Sequence, residues 1–287
     1  MKILAIGDFH GKFLEKLRKL AKSREIDLVI ALGDYAGLPE WIPFIRNQLR
    51  LIKEGKKPLG AEDYFGKKAF KKLLEKDDAA GRNVLKILNS FGKKTIFIFG
   101  NGDDTFYDYP FESFFKASKK NKKFLKTIKN MINITYSKTK LQGIAFAGFG
   151  GFVDPDSHLE RGLMKKDRKL YFRILKRQKR SRAKLFSILR GFTKSHGIFV
   201  LHYPPKGAFD IVRDRKNPYN GKNIGTSYLT EAIKKYSPRL VLCGHMHEYQ
   251  GKKMLGKSLV VNPGTASEGK AAIIDYKEKD IKVRFIR

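Results

Sequence analysis

Only one cysteine, Cys243, stands in 287 residues. A lone thiol can neither close an internal disulfide nor build a thiolate-only metal site, which fits a reducing compartment and sets the expectation of a cytoplasmic protein. Long apolar runs are also missing. No window approaches 18 apolar residues, so no membrane-spanning helix is expected. The apolar stretch at residues 1–7 is too short for a secretory signal and is followed at once by Asp8 and His10. Gly 26 and Pro 10 are ordinary counts, which excludes fibrous and low-complexity classes. Acidic residues are scarce, with 28 Asp and Glu against 61 Lys and Arg, a net charge of +33.

An excess of that size attracts polyanions such as nucleic acid. The competing reading is a lysine-rich bias coating solvated helices. The basic residues are concentrated. Residues 116–129 hold seven lysines and no acid, and residues 158–194 hold 14 Lys and Arg against Glu160 and Asp167.

Short apolar runs at 2–7, 27–33, 94–100, 143–148, 197–201 and 239–244 predict strands buried on both faces. Those at 258–262, 271–275 and 281–286 are more alternating and predict antiparallel neighbours. Phe13, Leu14, Leu17, Leu20 and Ala21 recur at helical spacing, as do Leu229, Ala232, Ile233 and Tyr236 behind Thr226 or Ser227 as N-cap. The alternation predicts an α/β layered fold in a single domain, 1–287. Three stretches read as helical insertions. Residues 39–93 hold one or two helices with a break near 55–60. Residues 111–134 hold a lysine-dense helix with Phe124, Ile128 and Ile132 as its stripe. Residues 155–194 hold a longer basic helix docked through Leu185, Ile188, Leu189 and Phe192.

The strand ends carry the chemistry. Asp8-Phe9-His10, Gly33-Asp34, Gly100-Asn101-Gly102-Asp103, His202 and Gly244-His245-Met246-His247 each follow an apolar run. Ligands in open α/β sheets bind just beyond the carboxyl ends of strands. Carboxylate, amide and imidazole donors suit Mn, Fe, Zn, Co or Ni, and two such cations would clamp a phosphoryl group and activate a water. Any one of these turns alone is an ordinary cap; the five in series are specific.

The series D-x-H, GD, GN-x-D, H and GHxH resembles the calcineurin-like metallophosphoesterase superfamily. Leu201-His202-Tyr203-Pro204-Pro205, Gly225-Thr226-Ser227, Leu242-Cys243-Gly244-His245-Met246-His247-Glu248 and Val261-Asn262-Pro263-Gly264 are similar to the Icc-related predicted phosphoesterases of archaea and bacteria. The resemblance implies a four-layer α/β/β/α sandwich. It implies two divalent transition metal ions, manganese foremost, with Asp8, His10, Asp34 and His247 around one and Asp34, Asn101, His202 and His245 around the other. Asp34, Asn101 and His202 would be catalytic and Asp103 would support them. Asn262 and Gly264 read as a structural turn.

Two positions depart from the pattern. Many members carry His where this chain has Gly102, so a built-in general acid is missing, which favours phosphodiesters. The residue three beyond Asp34, commonly Asp or Asn, is Gly37. The function expected is a metal-dependent phosphodiesterase acting on a phosphoester substrate. The alternatives are a nuclease using the same site and the basic helices, and a non-enzymatic nucleic-acid-binding module.

Overall fold

The computed structural model describes residues 1–110, 115–159, 161–192, 197–278 and 280–287. Twelve strands form among them: β1 Lys2–Ile6, β2 Leu28–Ala31, β3 Thr95–Phe97, β4 Met131–Asn133, β5 Lys138–Leu141, β6 Ile144–Phe149, β7 Gly197–Leu201, β8 Leu240–Leu242, β9 Gly251–Leu255, β10 Ser258–Asn262, β11 Ala271–Tyr276 and β12 Ile281–Ile286. The helices are α1 Glu15–Lys22, α2 Ile42–Lys53, α3 Ala61–Phe65, α4 Lys67–Asn89, α5 Lys119–Leu125, α6 Arg161–Lys166, α7 Arg168–Ile188 and α8 Ser227–Tyr236.

The strands make two six-stranded sheets, ordered β12-β11-β1-β2-β3-β4 and β5-β6-β7-β8-β10-β9. Strands β1 to β4 run parallel, as do β6, β7, β8 and β10, and antiparallel strands close the edges. Side chains alternate across each strand, which produces the layers. Ile3, Ala5, Leu28 and Ile30 share one buried core with Ile198, Val200, Leu240 and Leu242, so the sheets face each other. Leu4, Ile6, Val29 and Ala31 belong with Leu17 of α1 and Val84 and Leu88 of α4. Phe199 and Val241 belong with Leu185 and Ile188 of α7 and Leu229 and Ile233 of α8. This is the expected α/β/β/α sandwich.

The insertion at 39–93 becomes three helices, α2, α3 and α4, where one or two were expected, with the expected break at 55–60. The expectation for 111–134 needs correction. Among the described residues only α5 is helical, Ile128 lies in the connection after it and Ile132 lies in β4, so the expected stripe is spread over a seven-residue helix, a connection and a strand. Residues 111–114 lie outside the described residues, as does His196. The long basic helix at 155–194 is α6 and α7, and Leu185, Ile188, Leu189 and Phe192 are buried as expected. Strand β10, expected among antiparallel neighbours, pairs antiparallel with β9 but parallel with β8. The last two strands are antiparallel throughout. No helix among the described residues is long and apolar enough to cross a membrane.

Candidate metal centre

Five parallel strands deliver the chemical turns to one edge of the sandwich: β1 leads to Asp8 and His10, β2 to Asp34, β3 to Asn101, β7 to His202, and β8 to His245 and His247. Asp8, His10, Asp34 and His245 all have left-handed backbone, with φ of 56°, 46°, 54° and 67°. Such angles are uncommon outside glycine and cluster where a fold holds side chains for a purpose. Close approach of backbone is needed as well. A Cβ on Gly100 would lie 2.2 Å from Asp34 Oδ1 and 2.7 Å from His202 Cε1, so only glycine lets these turns converge.

The donors gather in two sets. Asp8, His10, Asp34 and His247 bring ligand atoms within 4.8 Å of one another, and so do Asp34, His202 and His245. Asp34 belongs to both. Asn101 joins the second set, its Oδ1 lying 2.9 Å from His202 Nε2. All seven residues singled out as ligands from the sequence therefore stand together.

Backbone carbonyls set the imidazole tautomers. His10 Nδ1 lies 2.9 Å from the Gly37 carbonyl and His202 Nδ1 2.8 Å from that of Leu32. A carbonyl can only accept, so each Nδ1 carries a proton and each Nε2 is the nitrogen presented to the centre. His10 Nε2 and His247 Nε2 face each other at 2.9 Å, beside Asp8 Oδ1 at 3.7 Å from His247 Nε2. Two imidazole nitrogens and two carboxylates aimed at one point fit a divalent transition metal. The second set fits the same kind of ion.

Electrostatics separate the histidines. Burial pushes His245 down to about 3, aided by the charge of His202. His202 is more deeply buried, yet Asp34 outweighs that burial and lifts it to about 9. Burial alone would raise Asp34, but the His202 charge and hydrogen bond, with His10 and the Gly102 amide, hold it below the usual carboxylate range.

Asp103 stands behind the donors. Its carboxylate accepts the backbone N–H groups of Asp34, Tyr35, Ala36 and Gly100 at 2.8, 2.9, 3.1 and 2.8 Å, tying the second turn to the third. Burial, with the charge of Asp34, pushes it upward against those amides. Asn262 turns back on Gly264, accepting its N–H at 2.9 Å, and donates to the Met246 carbonyl at 3.3 Å, the structural part expected of it.

Several contributors are not legible as such in the sequence, where Gly102 and Gly37 stand out only as departures from the pattern. Gly102 donates its N–H to Asp34 Oδ1 at 2.8 Å. Gly37 supplies the carbonyl for His10, and a Cβ there would sit 3.1 Å from His10 Nδ1, so backbone takes the place of the absent side chain. Asp77 of α4 accepts the N–H groups of Gly37 and Leu38 at 2.9 and 2.8 Å and so fixes that carbonyl. The Tyr203 ring stacks on His245, centroids 3.9 Å apart and planes at 25°. No motif marks Asp77, which lies 40 residues from the turn it holds. Tyr203 was marked only by its adjacency to His202.

Fold and centre together define a metallophosphoesterase architecture. The model of the metallophosphoesterases of the calcineurin superfamily matches residues 1–286, and the chain belongs to that superfamily. Among solved structures, the protein TT1561 of Thermus thermophilus is similar at 20% identity and a TM-score of 0.57, over 100% of this chain and 99% of that one. A dimetal phosphatase from Danio rerio is 9% identical with a TM-score of 0.52, over 100% and 96%. The phosphopantetheinyl hydrolase of Mycobacterium tuberculosis is 13% identical with a TM-score of 0.50, over 93% and 90%. At these identities the likeness is one of fold. No curated protein matches the sequence.

Proposed function

We propose that this metallophosphoesterase hydrolyses phosphodiesters, with Asp8, His10, Asp34 and His247 holding one divalent cation and Asp34, Asn101, His202 and His245 a second. The observation that carries the reading is the sharing of Asp34 between two donor sets. When bound, such a pair of cations withdraws charge from a phosphoryl group and acidifies a water for in-line attack.

The chain's own groups do the positioning. Gly102 N–H and the His202 ring orient the Asp34 carboxylate between the sets. Carbonyls of Gly37 and Leu32 lock His10 and His202 with their Nε2 atoms inward. Mixed nitrogen and oxygen donors suit manganese, with iron, zinc, nickel and cobalt as further occupants.

Gly102 supports diester over monoester preference, because the chain position after Asn101 carries no imidazole to protonate a leaving group. Restoring that imidazole is a poor test. A Cβ at 102 would lie 3.2 Å from Asp34 Oδ1 and 3.4 Å from the Gly37 Cα, so it would press on the shared carboxylate. The decisive experiment compares bis-p-nitrophenyl phosphate with p-nitrophenyl phosphate, whose leaving groups match, on protein reconstituted with manganese. Faster diester turnover supports the reading, and faster monoester turnover overturns the preference. Cyclic nucleotides and single- and double-stranded DNA and RNA in the same panel separate a small-molecule diesterase from a nuclease.

A further inference from the structure

Helix α7 is 21 residues long. Its inner face, Ile174, Ser181, Leu185 and Ile188, is buried against the body. Two of its arginines are ion-paired at the flanks. Arg177 makes two hydrogen bonds to Asp154 at 2.7 Å, and Arg182 reaches Glu231 of α8 at 2.9 and 2.5 Å. Arg177 and Arg182 therefore do not form one free basic face with Lys176 and Arg180.

The outward face is different. Lys169, Arg173, Lys176, Arg180 and Lys184 recur at i, i+4, i+7, i+11 and i+15, which places them in one stripe. All five are exposed, and no carboxylate among the described residues pairs with them. Like charges at i+3 and i+4 destabilise a helix by roughly 0.2–0.5 kcal/mol a pair, so the stripe opposes the helix that carries it. At 1.5 Å per residue it extends about 22 Å, the axial length over which one strand of a B-form duplex carries roughly six phosphates.

We propose that this stripe is a docking rail for the sugar-phosphate backbone of a nucleic acid. Charge complementarity selects a polyanion. The composition of the helix selects nucleic acid over a membrane: an interfacial helix presents a broad apolar face to lipid, whereas the apolar face of α7 is already used in the fold. The rail reads phosphates and not bases, so binding is insensitive to sequence. The other lysine cluster, on α5, packs beside α4 on the opposite outer layer, away from α8, so a ligand on the rail does not lie along α5. The rail is distinct from the metal turns and stands whether or not the centre prefers diesters.

Fluorescence anisotropy of the full chain with a labelled 20-nucleotide strand and a 20-base-pair duplex tests the proposal, with the probe shown to stay intact. One variant changes Lys169, Arg173, Lys176, Arg180 and Lys184 to Gln. A control changes Lys119, Lys120, Lys123, Lys126 and Lys129 to Gln, removing the same charge from the other layer. Wild type should bind at about 0.1 M salt, and the rail variant should lose roughly tenfold or more in affinity. The slope of log K against log salt should flatten by about 0.9 for each duplex phosphate that the variant no longer neutralises. The control should lose less than about threefold, since its charges lie on the other outer layer and a ligand held on the rail does not run along them. The rail variant should melt no lower than wild type, because like-charge repulsion has been removed. Should it melt lower, Lys176→Gln and Arg180→Gln singly should still each reduce the slope by about one. Absence of binding by wild type, equal weakening by both five-site variants, or rail-dependent binding to anionic vesicles without binding to nucleic acid would each overturn the proposal.

Discussion

The carboxylate of Asp103 accepts the backbone N–H of Asp34 at 2.8 Å, and this hydrogen bond joins two strand-end turns that are 69 residues apart. With three more amides on the same carboxylate, Asp103 acts as the internal brace of the centre. Asp103→Ala leaves four amides without their acceptor. At about 1–3 kcal/mol for a buried unsatisfied group, partly relieved by water, the loss should be at least about 3 kcal/mol. Thermal melting should show it, with lower metal retention after dialysis. Asp103→Asn keeps one accepting oxygen and should fall between.

Asp34→Ala should abolish hydrolysis while leaving the fold intact. Asp34 is buried, but its neighbours Gly102 N–H and His202 can be reached by water once the carboxylate is gone. Circular dichroism should match wild type, while elemental analysis should show fewer than two metals per chain. Unchanged metal content with lost activity would assign Asp34 to the reaction alone.

Gly100→Ala tests convergence of the turns. The new methyl would meet Asp34 and His202 at 2.2 and 2.7 Å and displace both. Activity should fall by at least about a hundredfold, since a misplacement of about 1 Å costs that much. Gly162→Ala in α6 has nothing within 4 Å of its added methyl, and the helix should gain up to about 1 kcal/mol.

The ion pair between Asp154 and Arg177 gives stability a pH dependence. Burial alone would raise Asp154, but His158, its Nδ1 3.9 Å from Asp154 Oδ1, together with the hydrogen bonds and charge of Arg177, prevails and lowers it. A carboxyl whose folded value is depressed adds stability that is present above its unfolded value near 3.9 and is lost as pH falls through the folded value. Asp154→Asn should therefore cost about 1–3 kcal/mol at pH 7. The difference in melting midpoint from wild type should shrink steadily below about pH 4. A gap that is constant from pH 7 to pH 3 would show that the charge of Asp154 contributes nothing.

Much of this was legible in the sequence because buried parallel strands are continuous apolar runs and their ends bear the chemistry. The strands at 2–7, 27–33 and 197–201 stood out for that reason, and all seven candidate donors fell in their turns or in equivalent ones. The strands β5, Lys-Thr-Lys-Leu, and β9, Gly-Lys-Lys-Met-Leu, did not stand out. Each lies at a sheet edge with exposed lysines, where solvent erases the apolar signal. Strand β4 escaped because its three residues follow a lysine-rich helix and share its apolar spacing. In the centre, side-chain donors carry a residue signature, whereas the Leu32 and Gly37 carbonyls and the Gly102 amide are available from any residue type. Which basic residues of α7 face acids depends on α8 and on the turn at 154, and no local pattern reveals that.

The central claim is a pair of metals working on a phosphodiester. Its most direct test is the initial rate of bis-p-nitrophenyl phosphate hydrolysis as manganese is titrated into metal-free protein at high protein concentration. The rate should climb until two equivalents per chain are bound and then level off. Saturation at one equivalent, or full activity in the presence of a chelator, would contradict it.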